Sequence, residues 1–246
     1  LVNNGTLTTS GDGSYGLNSA NANSTLVNSG TITTSGTDSY GIGSTNSGST
    51  LSNSGTITTS GLRSRGMYAD GNGVTAVNSG TITTSGSDGE GMRSDGNNST
   101  LVNSGAITST NADGIRSVGS GNTLTVSDGG TVTVSGAGLA GIRSTGANGT
   151  INVSGKVIAT GSATEAIVGS SNQTLNIKPG ATIVGTINLG AGTNVVNIDT
   201  SAGARSSTLS ISNAGTVNTS AGGEGLVRQS GSTVGIADTT GFAVNR

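Results

Sequence analysis

The chain is made of short runs in which apolar and polar residues alternate, separated by Ser-Gly and Asn-Gly pairs. The phrase "TLVNSGTITTSG" starts at Thr25, most of it returns at Leu51, Ala76 and Leu101, and a near copy opens at Leu1. Successive copies are 25 residues apart. A fixed interval between about 20 and 50 residues predicts a solenoid in which each copy forms one rung.

Each copy contains three candidate strands. Alternation with period two, bounded by turn residues, predicts strands at "TLVN", at "TITTS" and around "YGI", as in "SYGIGS" at residues 39–44. Thr, Val, Ile, Ser, Asn and Gly dominate the copies, and all of them form helices less readily than Ala or Leu. The sequence therefore predicts an all-β parallel β-helix (a solenoid) with about 25 residues and three short strands in each rung.

Stacking the copies predicts three apolar columns that fill the interior of a triangular prism. The first column contains Leu7, Ile32, Ile57, Ile82, Ile107, Val132 and Val157. The second contains Leu17, Ile42, Met67, Met92, Ile115, Ile142 and Ile167. The third contains Leu1, Leu26, Leu51, Ala76, Leu101 and Ile151.

An asparagine recurs at one position of the first five copies: Asn3, Asn28, Asn53, Asn78 and Asn103. Later copies align Val126, Val153 and Ile177 at that position, which favours a site that faces the interior. Stacked amides at strand spacing can hydrogen-bond to one another and so form a structural ladder. The alternative is that each Asn adopts a left-handed turn before Ser-Gly; the Val and Ile replacements favour the ladder.

We expect one β-helical domain over residues 1–246, with regular rungs over 1–123 and less regular rungs over 124–246. The rungs that start at Leu124, Ile151 and Leu175 depart from the 25-residue spacing, and residues 199–208 are a candidate loop. A further copy is predicted from Ile211.

Composition limits the chemistry of the chain. Hydrophobic residues make up 30%, charged residues 9% and the net charge is -2. This is close to a disordered composition, but the apolar residues recur at fixed phase, which favours an ordered fold. There is no His and no Cys, so Ser-His-Asp triads, thiol catalysis and the usual zinc sites are excluded. We therefore predict no enzyme activity, no catalytic residue, no metal and no cofactor.

Charge and hydropathy also restrict the partners. The near-neutral balance and the scarcity of aromatic residues argue against nucleic acid. No apolar run approaches the about 18 residues of a membrane helix, so insertion of this segment into a membrane is not expected.

Charged side chains are concentrated around the third strand. The predicted binding residues are Arg93, Arg116 and Arg143, which share one position, together with Glu90, Asp95 and Asp113; Arg65, Asp70 and Glu165 lie in equivalent or adjacent positions. One hypothesis is a strip that recognises a saccharide or a host surface. The alternative is a weak, solvated network in which the carboxylates neutralise the arginines.

The second strand predicts two outward rows of threonine, such as Thr56 and Thr58 above Thr31 and Thr33. Similar Thr-x-Thr rows occur on ice-binding solenoids, but Thr is also a common exposed strand residue. Ala106 and Lys156 interrupt the first row.

Rungs of the form "NSGTITTSG" followed by "YGI", and later "GTINLGAGTNVVNI", resemble the passenger regions of bacterial autotransporters, the type V secreted surface proteins. The resemblance covers nearly the whole chain and implies a right-handed parallel β-helix, export, and an extracellular place at the bacterial cell surface. The signal peptide and translocator barrel of that family are missing, so we expect a piece of a longer protein. Its serine protease and esterase members do not fit a chain without His.

The leading hypothesis is an adhesin or self-association module that binds through the polar outer faces of the rod. Its partners would be a host or neighbouring-cell surface, a glycan or matrix, or a second copy. The alternatives are a passive spacer or stalk, ice binding through the Thr-x-Thr face, and an enzyme that cleaves acidic polysaccharides on the charged strip.

Overall fold

The structure is a computed structural model that describes residues 1–199, 208–219, 225–230 and 242–245. Its strands pair in parallel and form three sheets, here called A, B and C. Each of the first eight rungs, up to Asn188, contributes one strand to each sheet in the order A, B, C, as the sequence predicts, so the parallel β-helix is confirmed. No helix in the described ranges is long and apolar enough to cross a membrane.

The described strands have the following bounds. Sheet A contains Val2–Asn3, Thr25–Asn28, Thr50–Asn53, Thr75–Asn78, Thr100–Asn103, Thr123–Val126, Thr150–Val153, Thr174–Ile177, Val195–Ile198 and Thr216–Thr219. Sheet B contains Thr6–Thr9, Thr31–Thr34, Thr56–Thr59, Thr81–Thr84, Ala106–Ser109, Thr131–Val134, Lys156–Ala159 and Thr182–Val184. Sheet C contains Leu17–Ser19, Ile42–Ser44, Met67–Ala69, Met92–Ser94, Ile115–Ser117, Ala140–Ser144, Glu165–Gly169, Thr186–Asn188, Thr208–Ser212, Gly225–Ser230 and Phe242–Asn245.

The three predicted apolar columns form the core. In sheet B, Ile57 pairs with Ile32 and Ile82, and the three side chains are fully buried. Sheets A and C continue the other two columns with Leu51 and Met67. Leu1, the first residue of the sequence and an expected member of the third column, is 62% exposed. Since side chains alternate along a strand, the residues between core positions face solvent.

The asparagine column is a continuous hydrogen-bonded ladder in the interior. Each amide nitrogen donates to the amide oxygen one rung further along the chain, at 2.7–2.8 Å, from Asn3 to Asn103. Asn103 donates to the carbonyls of Gly105 and Thr131 instead, because Val126 occupies the next position. None of the five asparagines has a positive φ, so the turn alternative is wrong.

A second asparagine ladder, missed in the sequence, lies on the outer face of sheet A. The amides of Asn152, Asn176, Asn197 and Asn218 are linked by hydrogen bonds of 2.8 Å. This outer ladder starts at Asn152, in the sheet A strand that follows the one containing Val126, where the inner column changes from Asn to Val. Amides at strand spacing therefore pair on either face of the sheet.

The late part of the chain departs from the predicted register. Sheet B ends at Val184 within the described residues, and Gly185, at a φ of 119°, leads directly into sheet C. The copy expected from Ile211 is placed differently: Ile211 pairs with Ile187 in sheet C, and Val217 pairs with Val196 in sheet A. Among the described residues beyond Val184, only sheets A and C gain strands, and "TVNT" at Thr216–Thr219 lies in sheet A, not in the sheet B position that its resemblance to "TITT" suggested. The candidate loop near 199–208 falls mostly on residues outside the described ranges.

Candidate functional site

Two rows of side chains form the outer face of sheet C, here called the sheet C band. The first row lies two residues before the buried core residue of each strand, in the preceding turn or at the start of the strand, and contains Tyr15, Tyr40, Arg65, Glu90, Asp113, Ala140 and Glu165. The second lies within the strands and contains Asn18, Gly43, Tyr68, Arg93, Arg116, Arg143, Val168 and Asn188. Parallel in-register pairing places equivalent residues about 4.8 Å apart along the rod. The band therefore changes from aromatic to charged along its length.

Three tyrosines stack at one end of the band. The ring centroids of Tyr15 and Tyr40 are 5.1 Å apart, and those of Tyr40 and Tyr68 are 4.7 Å apart. The Arg65 guanidinium lies 4.6 Å from the Tyr68 centroid and donates a 3.0 Å hydrogen bond to the Tyr40 hydroxyl. Burial raises the pKa of both Tyr40 and Tyr68, and for Tyr68 its hydrogen bond to Asp95 adds to the effect.

Glu90 is the centre of the charged part. Its side chain is 1% exposed, and its two oxygens accept 3.0 Å hydrogen bonds from Arg65 and Arg93. Arg116 lies further away, with a nitrogen 3.6 Å from the same carboxylate. Because two guanidinium groups already hydrogen-bond to Glu90, its charge is fully compensated inside the protein.

Arg93 connects this centre to the strand end. It donates to Asp95 at 2.7 Å, and the Tyr68 hydroxyl donates to the other oxygen of Asp95 at 2.8 Å. Burial acts to lower the pKa of Arg93, but its hydrogen bond to Asp95 and the charge of Glu90 together raise that pKa above the ordinary value. The guanidinium therefore stays charged.

Asp113 organises the next two rungs. It is 4% exposed, accepts a hydrogen bond from the backbone of Ala140 at 2.8 Å and a second from Arg143 at 2.7 Å. Arg143 also approaches Glu165 at 3.8 Å. Both oxygens of Asp113 are thus occupied by donors of the protein itself.

Arg116 differs from its neighbours. Its side chain is 33% exposed, its Nε is buried without a hydrogen-bond partner, and its nearest carboxylate oxygens are 3.6 and 4.0 Å away. It lines a cleft of about 390 Å³ together with Asp88, Glu90, Ala112, Asp113, Gly138, Leu139, Arg143 and Thr145. The partly exposed side chain of Arg116 therefore forms part of the wall of this cleft.

All six predicted binding residues thus lie on one surface, in mutual contact or one contact apart. The carboxylates do neutralise the arginines, as the alternative interpretation expected. That network is not solvated, however, because the Glu90 and Asp113 side chains are almost fully buried. Sequence reasoning missed the tyrosine stack and the cleft. The tyrosines recur near the rung spacing, at residues 15, 40 and 68, which is a signal that could have revealed them.

Fold and rung sequence together define the class of protein: a bacterial autotransporter-type passenger domain built as a β-solenoid. The sequence profile of a family described as "BigA third pectate lyase-like domain" matches residues 1–126, just over half of the 246 residues. The chain belongs to this family. Comparisons with curated proteins and with solved structures gave no match.

Proposed function

We propose that this chain is an adhesive segment of a bacterial surface passenger, and that it binds a glycan or matrix on a host or neighbouring cell through the sheet C band. The observation that carries the proposal is the distribution of charge. No described strand of sheet A contains a charged residue, and sheet B contains one, Lys156. Described strands of sheet C carry Arg93, Arg116, Arg143, Glu165 and Arg228, with further charges in the turns beside them.

The fold itself does not require these charges. The equivalent strand positions in earlier rungs are Asn18, Gly43 and Tyr68, and the same sheet forms there. A buried ion-pair network stabilises a protein no better than well-packed apolar residues of similar size. A role in recognition accounts for a costly charged network that the solenoid can do without.

The same contacts argue against catalysis. A general acid or base needs an oxygen free to exchange a proton with substrate. The oxygens of Glu90 and Asp113 accept hydrogen bonds from arginines and from the Ala140 backbone. These carboxylates hold the surface in shape, which supports binding over cleavage of a polysaccharide.

Face-specific blocking tests this proposal, because the chain contains no cysteine and any introduced thiol is unique. Val168→Cys, Thr83→Cys and Val77→Cys place a half-exposed thiol on the outer faces of sheets C, B and A respectively. Each variant would be coupled to a bulky maleimide polymer and coated on beads. Attachment to epithelial cells and to matrix-coated surfaces would then be counted.

We expect the unmodified chain to attach to at least one of these surfaces and the polymer at residue 168 to abolish attachment, whereas polymers at 83 and 77 leave it unchanged. A passive spacer predicts no attachment by any bead. Equal loss at all three positions, or loss at 83 alone, would overturn the assignment to sheet C.

Self-association through sheet B is a second candidate. Its outer face is flat, rich in threonine and almost free of the charges that keep sheet surfaces apart. Sedimentation velocity of the full chain beside a Thr58→Lys, Thr83→Lys variant tests it. A dimer that persists in the variant excludes this face.

A further inference from the structure

The cleft beside Arg116 arises from one irregularity of the repeat. The turn between sheets B and C has seven residues in the fourth rung (85–91) and seven before Ile142 in the sixth (135–141), but five in the fifth (110–114). In the longer turns, Asp88 and Gly138 take positive φ values of 55° and 71°, and no residue of the short turn does. The short turn therefore takes a more direct path between two longer ones.

The lining of the cleft matches this origin. Asp88 comes from the turn below, Gly138 and Leu139 from the turn above, and Ala112 and Asp113 from the short turn between them. Two missing residues thus leave a notch between the turns of the fourth and sixth rungs. Its volume of about 390 Å³ falls in the range of about 300–1,000 Å³ found for small-molecule sites.

Inside the notch, the Arg116 guanidinium makes no hydrogen bond to the described residues, while Arg65, Arg93 and Arg143 each donate to a carboxylate within 3.0 Å. A guanidinium presents a planar fork that matches a carboxylate. Arg116 has only looser ion pairs, at 3.6 Å to Glu90 and 4.0 Å to Asp113, so a carboxylate that entered the notch would supply a hydrogen-bonded partner at closer range.

Charge limits what else the ligand can carry. Asp88, Glu90 and Asp113 line the notch against Arg116 and Arg143, which leaves one negative charge in excess. One carboxylate aimed at Arg116 is tolerated, but a polymer with an acid on every unit meets repulsion. The remaining lining offers the Thr145 hydroxyl, the Asp88 carboxylate and the apolar side chains of Ala112 and Leu139. These groups suit the hydroxyls and ring face of a sugar.

We propose, on the basis of the adhesive function above, that the notch is a subsite for one terminal acidic sugar on an otherwise neutral glycan, with Arg116 binding its carboxylate. Sialic and uronic acids share this chemistry. An extended polyanion and an acidic peptide do not fit it, since both bring additional negative charge beside Asp88 and Glu90.

Calorimetric titration of the full chain tests the proposal with five ligands: lactose, sialyllactose, a disaccharide in which one terminal glucuronic acid is linked to a neutral sugar, polygalacturonate and a tetraglutamate peptide. We expect binding of one or both singly charged glycans and none of lactose. Equal binding of lactose would show that the carboxylate is irrelevant. Stronger binding of polygalacturonate per sugar unit, or of the peptide, would overturn the selection for a single charge.

Two variants locate the site. Arg116→Met keeps the length of the side chain and removes its charge, and should weaken binding of the acidic glycan about tenfold or more. Replacing residues 110–114 by the seven-residue sequence "SGSDGEG" of residues 85–91 should fill the notch and abolish binding, while the adjacent rung shows that this sequence is compatible with the fold. Unchanged affinity in either variant excludes the notch.

Arg63→Met is the matched control, because Arg63 is exposed, pairs with Asp38 at 2.6 Å and does not line the notch. It removes one positive charge and should bind like the original chain. The two proposals fail separately. If Arg116→Met binds normally while the polymer at residue 168 still abolishes attachment, the notch is wrong and the sheet C band stands; if that polymer has no effect, the band itself is wrong.

Discussion

The outer faces of sheets B and C have the same spacing and opposite chemistry. Sheet B repeats Thr in two rows, with Thr56 and Thr81 in one and Thr58 and Thr83 in the other. Sheet C changes its residue at almost every rung, from Asn18 through Tyr68 to Arg93. Behind both faces the core columns are uniform, since Ile57 and Met67 are buried in the same way.

The difference shows where a solenoid can vary. An interior residue must fit the same neighbour above and below, so its column is held constant by packing. An outer residue meets solvent, and its identity is free of that requirement. The positions where an outer row departs from its repeat are therefore the places to look for binding. Sheet B departs at Ala106 and Lys156, and most of the charged departures on the described strands lie on sheet C.

The largest expected effect is a difference in the free energy of unfolding between a variant on the outer face of sheet C and a variant on the outer face of sheet B. Glu90→Gln removes the charge that compensates Arg65 and Arg93, and breaking a buried ion pair costs about 3–5 kcal/mol. Thr83→Ala on sheet B should change the free energy of unfolding by less than about 0.5 kcal/mol. Urea unfolding of both variants checks this. A loss below about 1 kcal/mol for Glu90→Gln would mean that the band is solvated after all.

The next effect compares a uniform interior column with the outer rows. Asn53→Ala leaves Asn28 without its amide acceptor and Asn78 without its amide donor, both in the core. Unpaired buried groups cost about 1–3 kcal/mol each, so we expect a loss of about 2–4 kcal/mol by urea unfolding. Asn176→Ala, in the half-buried outer ladder, is the matched control and should cost less than half as much. Equal losses would contradict the distinction between inner and outer ladders.

A smaller effect tests the aromatic end of the band and its pH dependence. Tyr68→Phe removes the hydroxyl that donates to Asp95 and should cost about 1 kcal/mol. Burial and Asp95 raise the pKa of Tyr68, so the folded state holds this proton more tightly than the unfolded state. The stability due to Tyr68 is present below about pH 10 and is lost as pH rises beyond it. The free energy of unfolding of Tyr68→Phe should therefore fall less steeply above pH 10 than that of the original chain. An identical slope in urea unfolding would contradict the raised pKa of Tyr68.

The smallest expected effect concerns Arg116. Because no hydrogen bond holds its guanidinium, Arg116→Met should leave the free energy of unfolding within about 0.5 kcal/mol. Arg143→Met, which leaves Asp113 without its 2.7 Å partner, should destabilise clearly more. Thermal unfolding of the pair distinguishes a residue kept for recognition from one kept for structure. Equal destabilisation would place Arg116 in the structural network.

Much of the fold follows from the sequence, because a rung is a local pattern repeated many times. The columns through Ile57 and Met67, and the alignment of Val126 with Asn103, could be derived from spacing alone. Beyond Val184 the derivation fails, since a run such as "GTVNT" suits sheet A or sheet B equally. Nothing in the local pattern marks that the described strands after that point join sheets A and C only.

The residues of the candidate site could be predicted from the sequence, but their burial and their pairing could not. Register places Arg93, Arg116 and Arg143 in one row, as the sequence shows. Burial of Glu90 depends on how far three arginine side chains fold over it. The spacing of the repeats does not predict these side-chain conformations. The 23-residue interval from Leu101 to Leu124 records the shortened rung, but which turn lost the residues is visible only in three dimensions.

The change from Asn to Val at residue 126 bears on how near-identical copies avoid assembling out of order. Rungs that resemble one another can stack on the wrong partner during folding and skip an intervening copy. A valine rung inserted beneath an asparagine rung would leave an amide oxygen in the core without its donor, since each accepts from the rung before it. The switch from amide to aliphatic side chains in the inner column therefore makes a misordered stack less stable than the correct one. It allows near-identical rungs to be distinguished by their order along the rod.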